Sequence, residues 1–463
     1  MFGVAGLSDS SDIKYFTNVS LGGESFQVLI DTGSSDLWVA GNVPNAQSTG
    51  KSAGVDYAIG AASGSVMTAT MGFDDYTVNN QAFISVPVDS AHPMGQGIIG
   101  LGPNSGSDVY QQFNSPAGDS PLNSIFRQNT STPNFITILL GRDEDDAHPF
   151  PGDLTVGEVL PDYENITSQP KLTVAQDADS GAQHWQALVD KDGVIGPDGQ
   201  PIEVQSVVEG LDQLVAVFDS GFTLPQVPAA VAGAIYSRVP GANFTYSPAA
   251  GNVWTIPCNV ELNVTFKFGG VSFPVNPLDT SLSPSVLTVM NAAGETVCVG
   301  AFQPITTAAS PNYDMILGMA FLRNAYLLVN MGDFVDGSSS TAPPYVQLLP
   351  LTSAAEAHTQ FVDERLGGVD NTSAFHLLPA SKANYSAGST TASGESLQQK
   401  IKPYLPYIIA GSATVAILLI VAVSYCVTNS RRKSYQRLHD PAPVGLHHEQ
   451  PPFPRYSRPH RRY

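Results

Sequence analysis

The sequence predicts an all-β ectodomain built from two related halves, followed by one C-terminal transmembrane helix. Three observations predict it. Gly and Pro are abundant, 42 and 35 of 463 residues, and only 13% of residues are charged. That is a composition of turns and short strands. A short motif occurs twice in the same order, and an uncharged apolar run lies near the C-terminus.

Met1–Leu7 is too short and too uncharged to serve as the leader of an exported chain, which needs a basic start and an apolar run of about 7–15 residues. The expectation is that the true start, with any signal peptide and prosegment, precedes Met1. Residues 15–350 read as many short strands. Phe26, Val28 and Ile30 alternate in and out, and Asp192-Gly193 and Asp198-Gly199 are turn signals. Helical candidates are Leu122–Gln128 and Pro228–Val239.

From Thr352 the chain turns to Ser, Thr, Ala and Gly, so residues 352–403 read as a flexible stalk. Residues 404–428 read as the membrane helix. Leu405–Val427 carries no charge and would reach roughly 35 Å, against a hydrocarbon core of about 30 Å. Tyr404, Tyr407 and Tyr425 flank it as interfacial aromatics do.

Residues 429–463 read as a basic cytosolic tail. Eight of the 21 basic residues lie there against two acidic ones, so the tail is +6 and the rest of the chain −26. Arg431-Arg432-Lys433 directly after the span sets a type I topology, with residues 1–403 outside the cell or in a lumen. Seven sequons, at Asn18, Asn129, Asn165, Asn243, Asn263, Asn371 and Asn384, all precede the span. Tyr435–Leu438 fits a Tyr-x-x-apolar sorting signal for a membrane adaptor. The overall acidity argues against nucleic acid as a partner.

The repeat carries the chemistry. Val28–Ser34 runs Val-Leu-Ile-Asp-Thr-Gly-Ser, and Ala216–Thr223 runs Ala-Val-Phe-Asp-Ser-Gly-Phe-Thr. Each is followed by two apolar residues and Gly, at Ile98–Gly100 and Ile316–Gly318. A strand ending in Asp-Thr-Gly places a carboxylate on a tight turn, where Gly33 and Gly221 permit close backbone approach. The hydroxyls of Thr32 and Ser220 can reach across to the partner loop. Two such loops meeting at a pseudo-twofold axis bring Asp31 and Asp219 together. Two carboxylates so placed share one proton, which suits general acid–base work on a bound water. No metal or cofactor is called for. Gly50-Lys51-Ser52 lacks the upstream glycine of a phosphate loop, and Asp190-Lys-Asp192 lacks the glycine of a calcium loop.

At these residues the sequence resembles the pepsin-like aspartic peptidases, in particular the fungal secreted or membrane-anchored ones, over roughly Asp12 to Leu351. Asp31–Val39, Asp219–Thr223, Gly97–Gly102, Ile316–Gly318 and His184-Trp185-Gln186 carry the resemblance. It implies a bilobal fold with a central cleft, lobe one over residues 1–170 and lobe two over 171–351. It implies a monomeric endopeptidase acting on polypeptides at acidic pH, with Asp31 and Asp219 catalytic. Thr32, Gly33, Ser34, Ser220, Gly221 and Thr223 would orient them. A flap tyrosine is implied, best matched by Tyr57, with Tyr76 the alternative; Trp38 would sit behind it. Cys258 and Cys298 match the family's second-lobe disulfide.

One departure stands out. Phe222 occupies a position usually held by Ser or Thr, opposite Ser34 in the first motif. Loss of a hydroxyl donor there raises the pKa of Asp219 unless Thr223 substitutes. Phe222 is also the best support for the rival reading, a pepsin-fold binding protein without catalysis.

Overall fold

The computed structural model describes residues 3–383, apart from 59, 130, 143–149, 176–182, 248–250, 292, 307 and 333–341. The predicted span at 404–428, the tail at 429–463 with Tyr435–Leu438, and Asn384 lie outside the described residues. Among the described residues no helix is long and apolar enough to cross a membrane.

The fold is mostly β, and the sequence repeat is a structural repeat. In the first half, Glu24–Asp31 buries Phe26, Val28 and Ile30 as the alternation requires. It pairs in parallel with Gln96–Gly100, with Ile30 opposite Ile99 and Asp31 opposite Gly100. In the second half, Val215–Phe218 pairs in parallel with Met315–Leu317, with Val217 opposite Ile316. Both motif strands are buried along their length near the motif. That explains their near-continuous apolar sequence.

Around the first strand pair lies an eight-stranded sheet, which includes the long hairpin of Gln47–Asp56 and Ala61–Phe73. Tyr15–Leu21 also pairs with Ala61–Phe73 and folds that sheet back on itself. Around the second pair lie sheets of five, three and five strands. Their core is aromatic: Phe321 packs against Phe218, Phe266, Phe268 and Phe273 with ring centroids 5.6–6.2 Å apart.

A six-stranded sheet joins the halves. It takes Gly3–Gly6, Gly152–Val156 and Phe135–Leu140 from the first, and Ala325–Asn330, Tyr345–Pro350 and Leu172–Thr173 from the second. The seam is antiparallel, with Phe135 opposite Asn330 and Ile138 opposite Leu327.

The first expected helix forms as Pro121–Gln128. The second is shorter than expected, Ala229–Tyr236, with Pro228 as its N-cap residue. Its C-terminal end precedes Val239-Pro240, where the proline disfavours helical backbone in the residue before it. The stalk reading needs correction at its start. Ala354–Leu366 is a helix that buries Ala357, Phe361 and Val362. The chain beyond it stays on the second lobe, where Leu378 N–H donates to the Arg238 carbonyl at 2.7 Å and Arg238 Nε donates to the Leu378 carbonyl at 2.8 Å.

Candidate active site

Asp31 ends its strand, and Asp219 directly follows its own. Each is held by the neighbouring parallel strand: Leu101 N–H donates to Asp31 O at 2.7 Å, and Asp219 N–H donates to Leu317 O at 3.1 Å. The loops then brace each other. Thr32 Oγ1 donates to the Phe218 carbonyl at 2.8 Å and accepts from Ser220 N–H at 2.9 Å. Ser220 Oγ donates to the Ile30 carbonyl at 3.0 Å and accepts from Thr32 N–H at 3.1 Å. Four hydrogen bonds are made by two buried hydroxyls, related by the pseudo-twofold. This is the cross-loop bonding the sequence predicts for Thr32 and Ser220.

The glycines let the carboxyls meet. A Cβ on Gly221 would stand 2.5 Å from Asp31 Oδ1 and 2.8 Å from its Cγ; one on Gly33 would stand 2.5 Å from Asp219 Cγ. Real Cβ atoms do not approach so closely, so only glycine fits either position. Each glycine amide donates to its own aspartate, Gly33 N–H to Asp31 Oδ1 at 2.9 Å and Gly221 N–H to Asp219 Oδ1 at 2.8 Å.

Beyond that point the symmetry breaks. Ser34 Oγ donates to Asp31 Oδ2 at 2.5 Å. In the second loop the corresponding residue is Phe222, which has no hydroxyl. Thr223 does not take the role expected of it, since its hydroxyl donates to the Ile13 carbonyl at 2.8 Å. Burial raises the pKa of both aspartates. Ser34 and the Gly33 amide restrain the rise at Asp31, whereas the charge of Asp31 adds to the rise at Asp219. Both effects favour keeping the pair's one proton on the Asp219 side.

Tyr57 stands at the end of the long hairpin, where its N–H donates to the Gly60 carbonyl at 3.0 Å. Its hydroxyl accepts from Trp38 Nε1 at 2.8 Å. Burial, and then the nearby charge of Asp31, push the Tyr57 phenol upward, so it stays a neutral hydroxyl. Tyr76 is excluded as the flap residue: it is a buried side chain whose hydroxyl donates to the Val156 carbonyl at 3.1 Å.

Two aspartates that support the loops were missed in the sequence. Buried Asp36 accepts from Ser107 Oγ at 2.5 Å and from the amides of Asp108 and Val109 at 2.8 and 3.1 Å. In the second half Asp314 accepts from Ser206 Oγ and from the amides of Val207 and Val215, all at 2.7–2.8 Å. Asp36 lies five residues after Asp31 and Asp314 two residues before Ile316, positions held by Leu224 and Gln96 in the other half, so the repeat gave no signal for either. Trp185 anchors the lobe junction by donating from Nε1 to the Leu101 carbonyl at 2.9 Å.

Away from the dyad, Cys258 and Cys298 form the expected disulfide. Asn18, Asn165, Asn243, Asn263 and Asn371 are exposed. Asn129 is half-buried, and its side-chain amide donates to the Ile125 carbonyl at 3.0 Å.

Two β lobes joined by a shared sheet, with one Asp-(Thr/Ser)-Gly loop from each meeting at the junction, define an acid–base site of the paired-carboxylate class. Comparison with known proteins agrees. The sequence model for "Eukaryotic aspartyl protease" matches residues 14–47 and 42–335, and the chain belongs to that family. It is an aspartic endopeptidase of the pepsin-like kind.

Among its relatives, major aspartyl peptidase 1 of Cryptococcus neoformans is 25% identical over 378 residues, which is 73% of this chain and 73% of the relative. Vacuolar protease A of Neurospora crassa is 25% identical over 356 residues, 70% of this chain and 78% of that protein. The aspartic proteinase of Irpex lacteus shares the fold, with a TM-score of 0.58 at 18% identity, covering 76% of this chain and 98% of that one.

Proposed function

We propose that the protein hydrolyses peptide bonds in polypeptides with a water activated by Asp31 and Asp219, at acidic pH, while anchored to a membrane by residues 404–428. The observation that carries the mechanism is the crossed contact of Gly33 with Asp219 and Gly221 with Asp31. It supports two carboxyls close enough to hydrogen-bond each other, the arrangement in which one bound water could be shared between them.

Ionised Asp31 takes a proton from the water as its oxygen bonds to the peptide carbonyl carbon. Asp219 donates its proton to the carbonyl oxygen, giving a neutral gem-diol. Asp31 then passes its proton to the leaving nitrogen as the C–N bond breaks. A diol proton returns to Asp219, and water recharges the site. No covalent intermediate forms. Tyr57 closes the flap over the substrate, with Trp38 fixing its hydroxyl. The uncharged run and the basic residues behind it support a type I anchor, with the lobes outside the cell or in a vacuolar or endosomal lumen.

The test is cleavage of casein and of a quenched peptide across pH 2–7, with and without pepstatin. Pepstatin-sensitive cleavage that disappears in Asp31→Asn is expected. Folded protein that cleaves nothing at any pH would leave the binding-protein reading in its place. For the anchor, carbonate extraction should leave the full chain in the membrane pellet. Release into the supernatant would overturn it.

A further inference from the structure

The loop between Tyr76–Val86 and Gln96–Gly100 carries His92, whose ring touches both supports of the flap. Its Nε2 lies 3.0 Å from the carbonyl of Ala61, the first residue of the hairpin's returning strand. The ring also stands edge-on to Trp38, with centroids 5.5 Å apart and planes at 81°. Trp38 is the residue that donates to the Tyr57 hydroxyl.

On its other side, His92 Nδ1 lies 2.9 Å from Asp89 Oδ1. That oxygen is fixed as an acceptor, because the amides of Ala91 and His92 also donate to it, at 2.7 and 2.8 Å. These donors hold the Asp89 carboxyl below its ordinary value, the His92 side chain first and its amide next, so Asp89 stays ionised in mild acid.

Both partners of the ring are therefore acceptors. A neutral imidazole has one N–H and can serve only one of them. The imidazolium has two and serves both. If the ring loses a proton, either Asp89 or Ala61 faces a bare nitrogen lone pair. Among the described residues the ring meets Asp89 from its own loop, the Ala61 carbonyl from the hairpin, and from Leu37–Ala40 the neutral Trp38 ring, with the Tyr57 phenol bonded beyond it.

We propose that His92 is a positioning residue for the flap: in its doubly protonated form it pins the Ala61 carbonyl and buttresses Trp38, holding Tyr57 over the dyad. This rests on the peptidase reading for its purpose but not for its geometry. Closure of the flap is then an acid-dependent step separate from the titration of Asp31 and Asp219.

The test is amide hydrogen exchange of the 57–61 segment in the full chain, at pH 4.5 and 7.0, alongside peptide kinetics. Each variant is compared with the native chain at the same pH, so the intrinsic pH dependence of exchange cancels. Native protection, corrected for that dependence, should fall about tenfold between the two pH values, as loss of one charge-assisted hydrogen bond implies. His92→Phe should show the low protection at both. His92→Gln, whose amide donates to Ala61 at any pH, should show protection that no longer changes with pH.

In cleavage assays the native KM should rise with pH while kcat changes less, and His92→Phe should carry the high KM even in acid. If His92→Phe fails to fold, His92→Gln carries the decision alone. Native-like pH dependence of protection in either variant overturns the proposal. Exchange that behaves as expected in a protein without cleavage would leave the pin standing and remove the peptidase reading instead.

Discussion

Gly33 lies against the carboxyl of Asp219, and Gly221 against that of Asp31, so each loop glycine makes room for the other loop's acid. The exchange ties two residues 188 positions apart into one unit, because Thr32 and Ser220 bond across the same junction. Asp31→Asn and Asp219→Asn should each abolish cleavage while leaving the thermal midpoint close to that of the native protein. Gly33→Ala should abolish it by a different route. Its methyl displaces Asp219, so pepstatin binding is lost together with activity. Full activity in Asp219→Asn would end the paired-carboxylate account.

Phe222 gives the second prediction. Asp31 has a hydroxyl donor in Ser34, and Asp219 has none from Phe222 or Thr223. A donor stabilises the ionised form of a carboxylate and lowers its pKa. Phe222→Thr should therefore ease loss of the shared proton from Asp219. The alkaline limb of the kcat/KM profile should move to lower pH by about one unit, the effect of one good hydrogen bond to a charged group. A profile unmoved or shifted upward would show that Phe222 does not set the proton's affinity.

The parts legible in the sequence were those written locally. Asp-Thr-Gly and Asp-Ser-Gly are strand-end turns whose neighbours in sequence are also their neighbours in space, and they occur twice. The expectation of a flap tyrosine came only through the resemblance, since Tyr57 and Tyr76 both lie in hairpin sequence. The structure separates them by what their hydroxyls reach, Trp38 in one case and Val156 in the other. Asp36 was hidden because its partners Ser107 and Asp108 lie 71 and 72 residues away. His92 was hidden for the same reason: beside Pro93 and Gly95 it reads as a loop histidine, and its partners Ala61 and Trp38 are distant in sequence. Ala354–Leu366 was hidden because its buried stripe is narrow, and the segment around it has the composition of a linker.

Asp9 supplies a stability prediction. Burial first, and then hydrogen bonding and charge from Asp12, raise its carboxyl pKa to about 7. A carboxyl with a raised folded pKa binds its proton more tightly in the folded state. The folded state is therefore favoured most at low pH, and that advantage declines as pH rises from the ordinary carboxylate value towards 7. The group is only about half buried, so solvent screening reduces the effect. The N-terminal segment it belongs to reaches the second lobe, where buried Arg323 donates to the Asp12 carbonyl at 2.7 Å while paired with Asp279. Asp9→Asn should flatten the fall in melting temperature between pH 4 and pH 7.5, leaving the variant the more stable form at the upper end. An unchanged pH profile would mean that Asp9 titrates elsewhere.

The helix Ala354–Leu366 lies beyond residues 14–335, where the family match falls, yet it is built into the second lobe. Phe361 is fully buried and Val362 nearly so. Asn276 Nδ2 donates to Gln360 Oε1 at 2.7 Å, Arg365 reaches Cys298 Sγ and the Ser281 carbonyl, and His358 pairs with Glu261 at 2.9 Å. Burying the two apolar side chains is worth about 3–5 kcal/mol before the entropy of ordering the helix is subtracted. A chain ending at Leu351 should therefore melt lower than one ending at Lys382, and should bind a hydrophobic dye on the uncovered face. His358 adds a pH signature. Hydrogen bonding to Glu261 and then its charge raise the imidazole pKa. This contribution is complete below the ordinary histidine value and is lost as pH rises through the raised one. The difference in melting temperature between the two chains should therefore narrow above neutral pH. Equal midpoints at pH 5 would return residues 352–383 to the role of a passive tether.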